Sequence, residues 1–159
     1  MSLELKRVEK KVGQDTHIYR TDLVFKKNTI NILLGSTLAG KTTLMQIMAG
    51  LDKPTSGEIR YDGKDVTGQA VLKRNVSMVY QQFINYPNFT VFENIASPLK
   101  ITGIDSKEIK KRVGEVADLL KLSGMLNKKP NELSGGQQQR TALARALVKD
   151  SGLILLDEP

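Results

Sequence analysis

Residues 35–42 combine glycines, a lysine and a hydroxyl group at a spacing suited to holding phosphate. The string Gly35-Ser36-Thr37-Leu38-Ala39-Gly40-Lys41-Thr42 fits the pattern G-x-x-x-x-G-K-[ST], and Thr43 follows it. Glycine at the first position lets the chain turn sharply, so that successive backbone N–H groups can cradle phosphate oxygens. Lysine reaches the β- and γ-phosphates, and the threonine hydroxyl is a ligand for Mg²⁺. This segment, the phosphate loop, predicts a site for ATP and Mg²⁺.

Two acids follow the apolar run Leu153–Leu156 and could complete such a site. A strand beside the phosphate-loop strand would bring both carboxylates to the γ-phosphate. Asp157 would then hold the hydration shell of Mg²⁺. Glu158 would orient and deprotonate the attacking water as a general base. The alternative is an ordinary polar turn after a strand.

Apolar runs and their periodicity predict the elements that must position these groups. Residues 44, 47, 48 and 51 form the apolar stripe of a helix that starts at Lys41. The Asp62-Gly63 step predicts a hairpin. The run Ile30–Leu34 leads into the phosphate loop, and its continuous apolarity is typical of a strand buried on both faces of a parallel sheet. Further strands are predicted at residues 3–8, 18–25, 58–61, 76–80 and 153–156.

Helical periodicity replaces the strand patterns from about Gln82 to Lys149. One predicted helical face carries apolar side chains at residues 109, 113, 116 and 120, and another carries them at 142, 143, 146 and 147. The order of elements predicts an α/β domain with a helical subdomain inserted before the last strand.

Composition narrows the possible functions. The 159 residues suit one domain, and the absence of Cys together with a single His, His17, argues against a zinc site. No apolar run is long enough to span a bilayer, and no signal peptide is evident. The net charge of +7 is compatible with nucleic acid, with an anionic membrane face or with a solvated basic surface.

A second glycine-containing string precedes a predicted helix, at Leu133-Ser134-Gly135-Gly136-Gln137. Ser134 with two glycines at a helix N-terminus could bind an anion, or it could be a simple N-cap with a glycine turn. The string resembles the signature of ATP-binding-cassette (ABC) ATPases. The resemblance implies a P-loop NTPase (RecA-like) core with an N-terminal antiparallel β-subdomain and an inserted α-helical subdomain. It also implies a head-to-tail dimer, in which Ser134, Gly135 and Gly136 contact the ATP held by a second subunit.

The same resemblance implies roles for residues between these motifs. Gln81 falls in the family's Q-loop, as a ligand of Mg²⁺ and water, although a slip to Gln82 is possible. Phe83–Phe89 corresponds to the surface that receives a membrane subunit, or else these residues pack the helical subdomain. The position that stacks on adenine falls on Val12, which offers no π stacking. Glu158, Gln81 and Lys41 are then the expected catalytic residues.

The resemblance predicts a single ABC ATPase domain over residues 1–159. Its expected parts are a β-subdomain and phosphate-loop core at 1–81, a helical subdomain with the signature at 82–140, and a return to the core at 141–159. In the family, a switch histidine and further core strands follow Glu158, so the chain is expected to be a fragment that lacks them. For this reason we expect the 159-residue chain to bind nucleotide but to hydrolyse it slowly or not at all.

Several strings resemble the sugar-importer branch of the family, among them Pro54-Thr55-Ser56-Gly57 and Asp62-Gly63-Lys64-Asp65-Val66. Tyr80–Pro87 is similar to glycerol-type importers. The resemblance implies a cytoplasmic subunit, peripheral on the inner face of the membrane, that drives uptake of a sugar or polyol and binds no nucleic acid. The alternative is a soluble ABC-class ATPase that acts on nucleic acid.

Overall fold

The computed structural model describes residues 2–82 and 84–158. The chain divides into two compact units, residues 1–76 and residues 77–159. The first unit carries the phosphate loop, and the second carries the signature string and the Asp157-Glu158 pair. The predicted three-part division at residues 81 and 140 stays a prediction.

The first unit is built on a four-stranded antiparallel sheet. Its strands are β1 (Leu3–Val12), β2 (Asp15–Phe25), β3 (Ser56–Tyr61) and β4 (Lys64–Asp65), in the order β2-β1-β3-β4. Leu5 pairs with Leu23 on one side and with Ile59 on the other. Leu3 and Leu5 alternate with less buried residues, because neighbouring side chains of a strand point to opposite faces. The predicted N-terminal antiparallel β-subdomain is therefore confirmed.

One helix, α1 (Lys41–Ala49), completes the first unit and begins immediately after the phosphate loop. Its buried residues are Leu44, Met45, Ile47, Met48 and Ala49. Leu44, Ile47 and Met48 of the predicted apolar stripe are thus buried, whereas its fourth member, Leu51, lies beyond the end of the helix and is 46% exposed. Gly50, with φ of 82°, ends the helix in the left-handed conformation that glycine adopts without strain. Helix and loop thus lie where the spacing of the sequence places them.

The prediction of a buried strand at Ile30–Leu34 is wrong. These residues are irregular, and Ile30 and Leu34 are 95% and 86% exposed. A strand forms only where its N–H and C=O groups meet those of a neighbouring strand. Neither sheet of the described residues pairs with this segment. Apolar character alone therefore did not determine a strand here.

Three helices dominate the second unit, α2 (Val91–Lys100), α3 (Ser106–Leu119) and α4 (Gly135–Leu147). They share a core that includes Ile95, Val113 and Ala144. The predicted apolar face of α3 is confirmed at Ile109 and Val113, which are buried. Among the described residues, no helix has the length and apolarity needed to cross a membrane.

Two short strands, β5 (Val76–Val79) and β6 (Leu153–Leu156), form a separate sheet. The N–H of Asp157 donates to the carbonyl oxygen of Val79 at 2.9 Å. The hydroxyl groups of Ser77 and Ser151 lie 2.6 Å apart at the other end. This pairing places the residues that follow β5 beside the residues that follow β6.

A buried arginine anchors the C-terminal end of α1. Arg74 is only 3% exposed, and its guanidinium donates five hydrogen bonds to backbone carbonyls, which matches its number of N–H donors. Two of the acceptors, Ile47 and Met48, belong to the last turn of α1. A Cβ atom on Gly50 would lie 2.5 Å from the Arg74 Nε, so this approach requires glycine. The cation also complements the negative end of the helix dipole.

Replacing Arg74 by methionine is expected to lower the free energy of unfolding by about 3 kcal/mol. The change keeps the apolar stem but removes five hydrogen bonds. The carbonyls of Ile47, Met48 and Val66 keep other donors, so each lost bond costs roughly 0.5–1.5 kcal/mol rather than a full desolvation penalty. Chemical denaturation monitored by circular dichroism measures the loss. Arg60→Met is the matched control, because Arg60 forms a part-exposed ion pair with Glu58 and its loss should change stability little. Equal effects of the two changes would contradict the anchoring role.

Candidate functional site

The phosphate loop adopts a compact turn in front of α1. The N–H of Ala39 donates to the carbonyl of Ser36 at 3.2 Å. The Lys41 Nζ reaches back over the loop and donates to the carbonyls of Gly35 and Ser36, at 2.8 and 3.0 Å. The ammonium group therefore lies beside the loop backbone. A lysine at this place can bind phosphate oxygens as a point charge.

Gly40 is required by the backbone conformation and by close packing. It has φ of 84° and precedes the first residue of α1, with no side-chain cap on the helix. A Cβ atom here would lie 2.6 Å from the Ile18 Cδ1 and 2.9 Å from the His17 carbonyl oxygen, both on β2. Helix α1 thus begins close against the sheet, and the positive end of its dipole favours an anion.

The ends of β5 and β6 bring two predicted catalytic residues together. The Gln81 Nε2 donates to the Glu158 Oε2 at 3.0 Å. Both side chains are exposed, whereas the neighbouring Asp157 is buried. The predicted Q-loop glutamine and the predicted general base therefore share one polar site. The structure shows this contact for Gln81 and not for Gln82.

The signature string caps α4. The Ser134 hydroxyl accepts a hydrogen bond from the N–H of Gln137, and the Gln137 side chain accepts one from the N–H of Ser134. The simple N-cap interpretation is thus satisfied. However, Cβ atoms on Gly135 and Gly136 would meet nothing within 4 Å. Glycine destabilises a helix, and contacts among the described residues do not explain why two glycines stand here. The open space around them gives another molecule room to approach the helix end.

The remaining predicted site residues contribute oxygen donors and an apolar side chain. Thr42, Gln81 and Asp157 carry hydroxyl, amide and carboxylate oxygens, which is the donor set that Mg²⁺ prefers. The described residues contain no cluster of three His, Cys, Asp or Glu side chains that could bind a metal alone. Val12 lies at the end of β1, half-exposed, where it pairs with Asp15.

Residues 84–89 form an apolar loop, here named the docking loop, between β5 and α2. Ile84, Tyr86 and Phe89 are exposed, whereas Phe83, which the sequence also placed in this surface, lies outside the described residues. The rings of Tyr86 and Phe89 are 5.2 Å apart. Their exposure favours a surface for another protein over the alternative, in which these side chains pack the helical subdomain.

Two residues that hold this loop were missed in the sequence. Asn94 is fully buried on α2 and bonds the loop backbone at Tyr86 and Phe89. Arg145 on α4 donates to the carbonyl of Ile84. Each is a polar residue within an apolar helical stretch, and that anomaly was the available signal.

Comparison with known proteins places this chain in a family. Residues 19–159 match the family model described as ABC transporter. The chain is 43% identical over 155 residues to the "Fe(3+) ions import ATP-binding protein FbpC" of Vibrio cholerae, covering 98% of this chain and 44% of that protein. It is 53% identical over 132 residues to the "Glucose import ATP-binding protein GlcV" of Saccharolobus solfataricus, covering 80% and 37%. The chain thus spans less than half the length of these relatives.

A solved structure gives the same assignment. The ATP-binding cassette MJ0796, in a dimeric post-hydrolysis state bound to ADP and Pi, superposes with a TM-score of 0.86 at 33% identity. The match covers 97% of this chain and 72% of that one. The fold predicted from the sequence, a P-loop ATPase with an antiparallel β-subdomain and a helical subdomain, is confirmed. Motifs, fold and similarity agree, and the chain belongs to the ABC transporter family as an ATP-binding domain.

Proposed function

We propose that this domain binds ATP with Mg²⁺ and hydrolyses it to drive an importer. The observation that carries the proposal is the phosphate loop, in which the Lys41 ammonium lies over the carbonyls of Gly35 and Ser36 at the start of α1. Backbone N–H groups and a positive helix end then hold the phosphates, and Lys41 neutralises their charge. The other loop residues predicted to line this site are Thr37, Leu38, Ala39, Thr42 and Thr43.

The groups proposed to act on the attacking water, Glu158 and Gln81, belong to the second unit. Bound Mg²⁺ would neutralise phosphate charge in the transition state, with Thr42, Asp157 and Gln81 as its protein ligands. Glu158 accepts a proton from the attacking water as general base, and Gln81, which donates to its carboxylate, orients it. Titration of a fluorescent ATP analogue, with and without Mg²⁺, tests the binding half of this proposal. Failure to bind at millimolar nucleotide would remove it.

Two such domains acting head to tail complete the site. Ser134, Gly135 and Gly136 at the start of α4 would contact the γ-phosphate held by the other subunit, and the open space around both glycines supports such an approach. The similar cassette MJ0796, which is dimeric when bound to ADP and Pi, supports a dimer as the nucleotide-bound state.

Ser134→Arg is expected to prevent ATP-driven dimerisation while leaving nucleotide affinity of the monomer within about twofold. The long cationic side chain would occupy the space into which the partner's nucleotide must enter. Analytical ultracentrifugation with and without ATP measures the dimer, ideally in a Glu158→Gln background that slows turnover. Ser123→Arg, at another exposed serine of the second unit, is the control. A variant at Ser134 that dimerises as well as this control would refute the signature role.

The proposed physiological role is uptake of a small solute. The importer names of the relatives favour transport over action on nucleic acid. The domain would lie in the cytoplasm, peripheral on the inner face of the membrane, with membrane permease subunits bound at the docking loop. The exposed Ile84, Tyr86 and Phe89 side chains support such a contact, because an apolar patch on a surface loop is suited to a protein partner.

We propose a sugar or polyol such as glycerol as the solute. Resemblance of Pro54–Gly57 and Tyr80–Pro87 to sugar and glycerol importers supports it, as does 53% identity to a glucose importer subunit. Iron is the second candidate, because a ferric-ion importer subunit is 43% identical over nearly the whole chain. Uptake of labelled glycerol, glucose and ferric ion by the assembled transporter decides between them. Uptake of ferric ion alone would overturn the sugar assignment.

A further inference from the structure

The backbone of the docking loop is fixed from the α2 side. Asn94 is fully buried, and its Oδ1 accepts a hydrogen bond from the N–H of Tyr86 at 2.8 Å. Its Nδ2 donates to the carbonyls of Tyr86, Phe89 and Thr90 at 3.0–3.1 Å. One side chain therefore satisfies both polar backbone groups of Tyr86 and closes the loop onto the helix that follows it.

A second set of contacts, from α4, also holds the docking loop; the contacts from α2 and from α4 are here called the clamps. The Arg145 Nη2 donates to the carbonyl of Ile84 at 2.5 Å, and its guanidinium lies 5.1 Å from the centre of the Tyr86 ring. The neighbouring Asn85 donates to the carbonyl of Gln138, also on α4, at 2.9 Å. The loop is thus tied to two helices that are far apart in sequence.

The charge of Arg145 needs an explanation, because burial disfavours it. Burial lowers the pKa of the Arg145 guanidinium from its usual value. Over the described residues, its Nη1 finds no hydrogen-bond acceptor. An apolar side chain would fill this place at a lower desolvation cost. The contacts that distinguish arginine here are the hydrogen bond to Ile84 and the cation–π contact with Tyr86.

The clamps hold the loop while its apolar side chains stay exposed. Ile84, Tyr86 and Phe89 are 59%, 48% and 41% exposed. A loop that is already ordered loses little conformational entropy when a partner binds. The tilted contact between the two rings, together with the guanidinium beside Tyr86, fixes the orientation of the aromatic surface.

We propose that Arg145 is a positioning residue for docking: from α4 it holds Ile84 and Tyr86 in the arrangement that an apolar surface of the membrane subunit binds. This inference rests on the proposed importer function. It predicts that docking depends on a half-buried side chain whose charge faces the loop rather than the partner. Nucleotide binding should not depend on Arg145, because the phosphate loop lies in the first unit and Arg145 is not among the proposed nucleotide or Mg²⁺ ligands.

The test compares Arg145→Met and Arg145→Lys with Arg112→Met in the complete protein. Arg112 is the matched control, because it is an arginine of the same unit that forms a part-exposed ion pair with Glu108 on α3. The first readout is amide hydrogen exchange at Tyr86 and Phe89, which needs no partner. Arg145→Met is expected to accelerate this exchange about tenfold, and Arg112→Met is expected to leave it unchanged.

The second readout is association with the membrane subunits, co-expressed and purified in detergent. Arg145→Met is expected to weaken association at least tenfold. Arg145→Lys keeps the cation beside the ring and should recover association to within about threefold of the parent. Affinity for a fluorescent ATP analogue should stay within twofold in all variants, which separates positioning from general loss of structure.

The outcomes separate this inference from the function on which it rests. If Arg145→Met associates and exchanges like the control, the positioning role is wrong. If the double change Tyr86→Ala and Phe89→Ala also leaves association intact, the docking loop itself is not the interface. If Arg145→Met fails to fold, the test uses association of Arg145→Lys and Tyr86→Leu with the membrane subunits. Normal association of Arg145→Lys together with weakened association of Tyr86→Leu supports the positioning role of Arg145, and any other combination overturns it.

Discussion

Replacing Lys41 by alanine is expected to weaken ATP binding about 100-fold, or roughly 2.7 kcal/mol. The Lys41 Nζ already lies at the mouth of the phosphate loop, where it donates to the carbonyls of Gly35 and Ser36. Bound phosphates would exchange these neutral acceptors for charged oxygens, and hydrogen bonds to charged groups are the stronger ones. Alanine removes the charge and all three N–H donors of the ammonium group. Titration of a fluorescent ATP analogue measures the effect.

Lys53→Ala is the matched control for this change. Lys53 is an exposed lysine of the same unit, beyond the C-terminal end of α1, so its removal lowers the net charge equally without touching the loop. Its affinity for ATP should match that of the parent chain. Because Lys41 also donates hydrogen bonds to the loop backbone, its loss could destabilise the loop, so thermal unfolding of both variants is recorded. A Lys41→Ala chain that is folded and binds ATP as tightly as Lys53→Ala would remove the phosphate-loop assignment.

Features that depend on neighbouring residues could be predicted from the sequence. The phosphate loop is specified within eight positions of the chain, and helix α1 follows because its start at Lys41 and most of its apolar stripe lie in one short window. The hairpin at Asp62-Gly63 is equally local. In each case the residue type dictates the backbone conformation, and little depends on what lies elsewhere in the fold.

Features that depend on distant partners could not be predicted with the same success. Ile30–Leu34 has the composition of a buried strand, but composition does not supply the hydrogen-bonding neighbour that a strand requires. Arg74 and Arg145 carry no local signal of their partners, because their acceptors are backbone carbonyls that only the folded chain brings together. A lone arginine in a sequence is most often exposed, so sequence reasoning passes over it.

The contact of Gln81 with Glu158 lies between these cases. Each residue was predicted from its own motif, but their distance of 3.0 Å follows from the pairing of β5 and β6, whose bonded side chains are 77 positions apart. Both residues were thus predicted from the sequence, but their contact was not. The contact matters for chemistry because a general base must be held at a fixed orientation to accept a proton from water.

Glu158→Gln is expected to lower the rate of ATP hydrolysis about 10²–10³-fold in the dimeric protein, with nucleotide affinity within threefold of the parent. Glutamine has nearly the same shape and can still accept the hydrogen bond from Gln81, so the site should keep its structure while the base is lost. Phosphate release at saturating ATP measures the rate. Glu115→Gln, an exposed acid on α3, is the control and should hydrolyse ATP at the parent rate. Gln81→Ala removes this donor and one proposed Mg²⁺ ligand but keeps the carboxylate of Glu158, so it should slow turnover less than Glu158→Gln does. Turnover by Glu158→Gln at the control's rate would show that another group activates the water, and Gln81 would then have no base to orient.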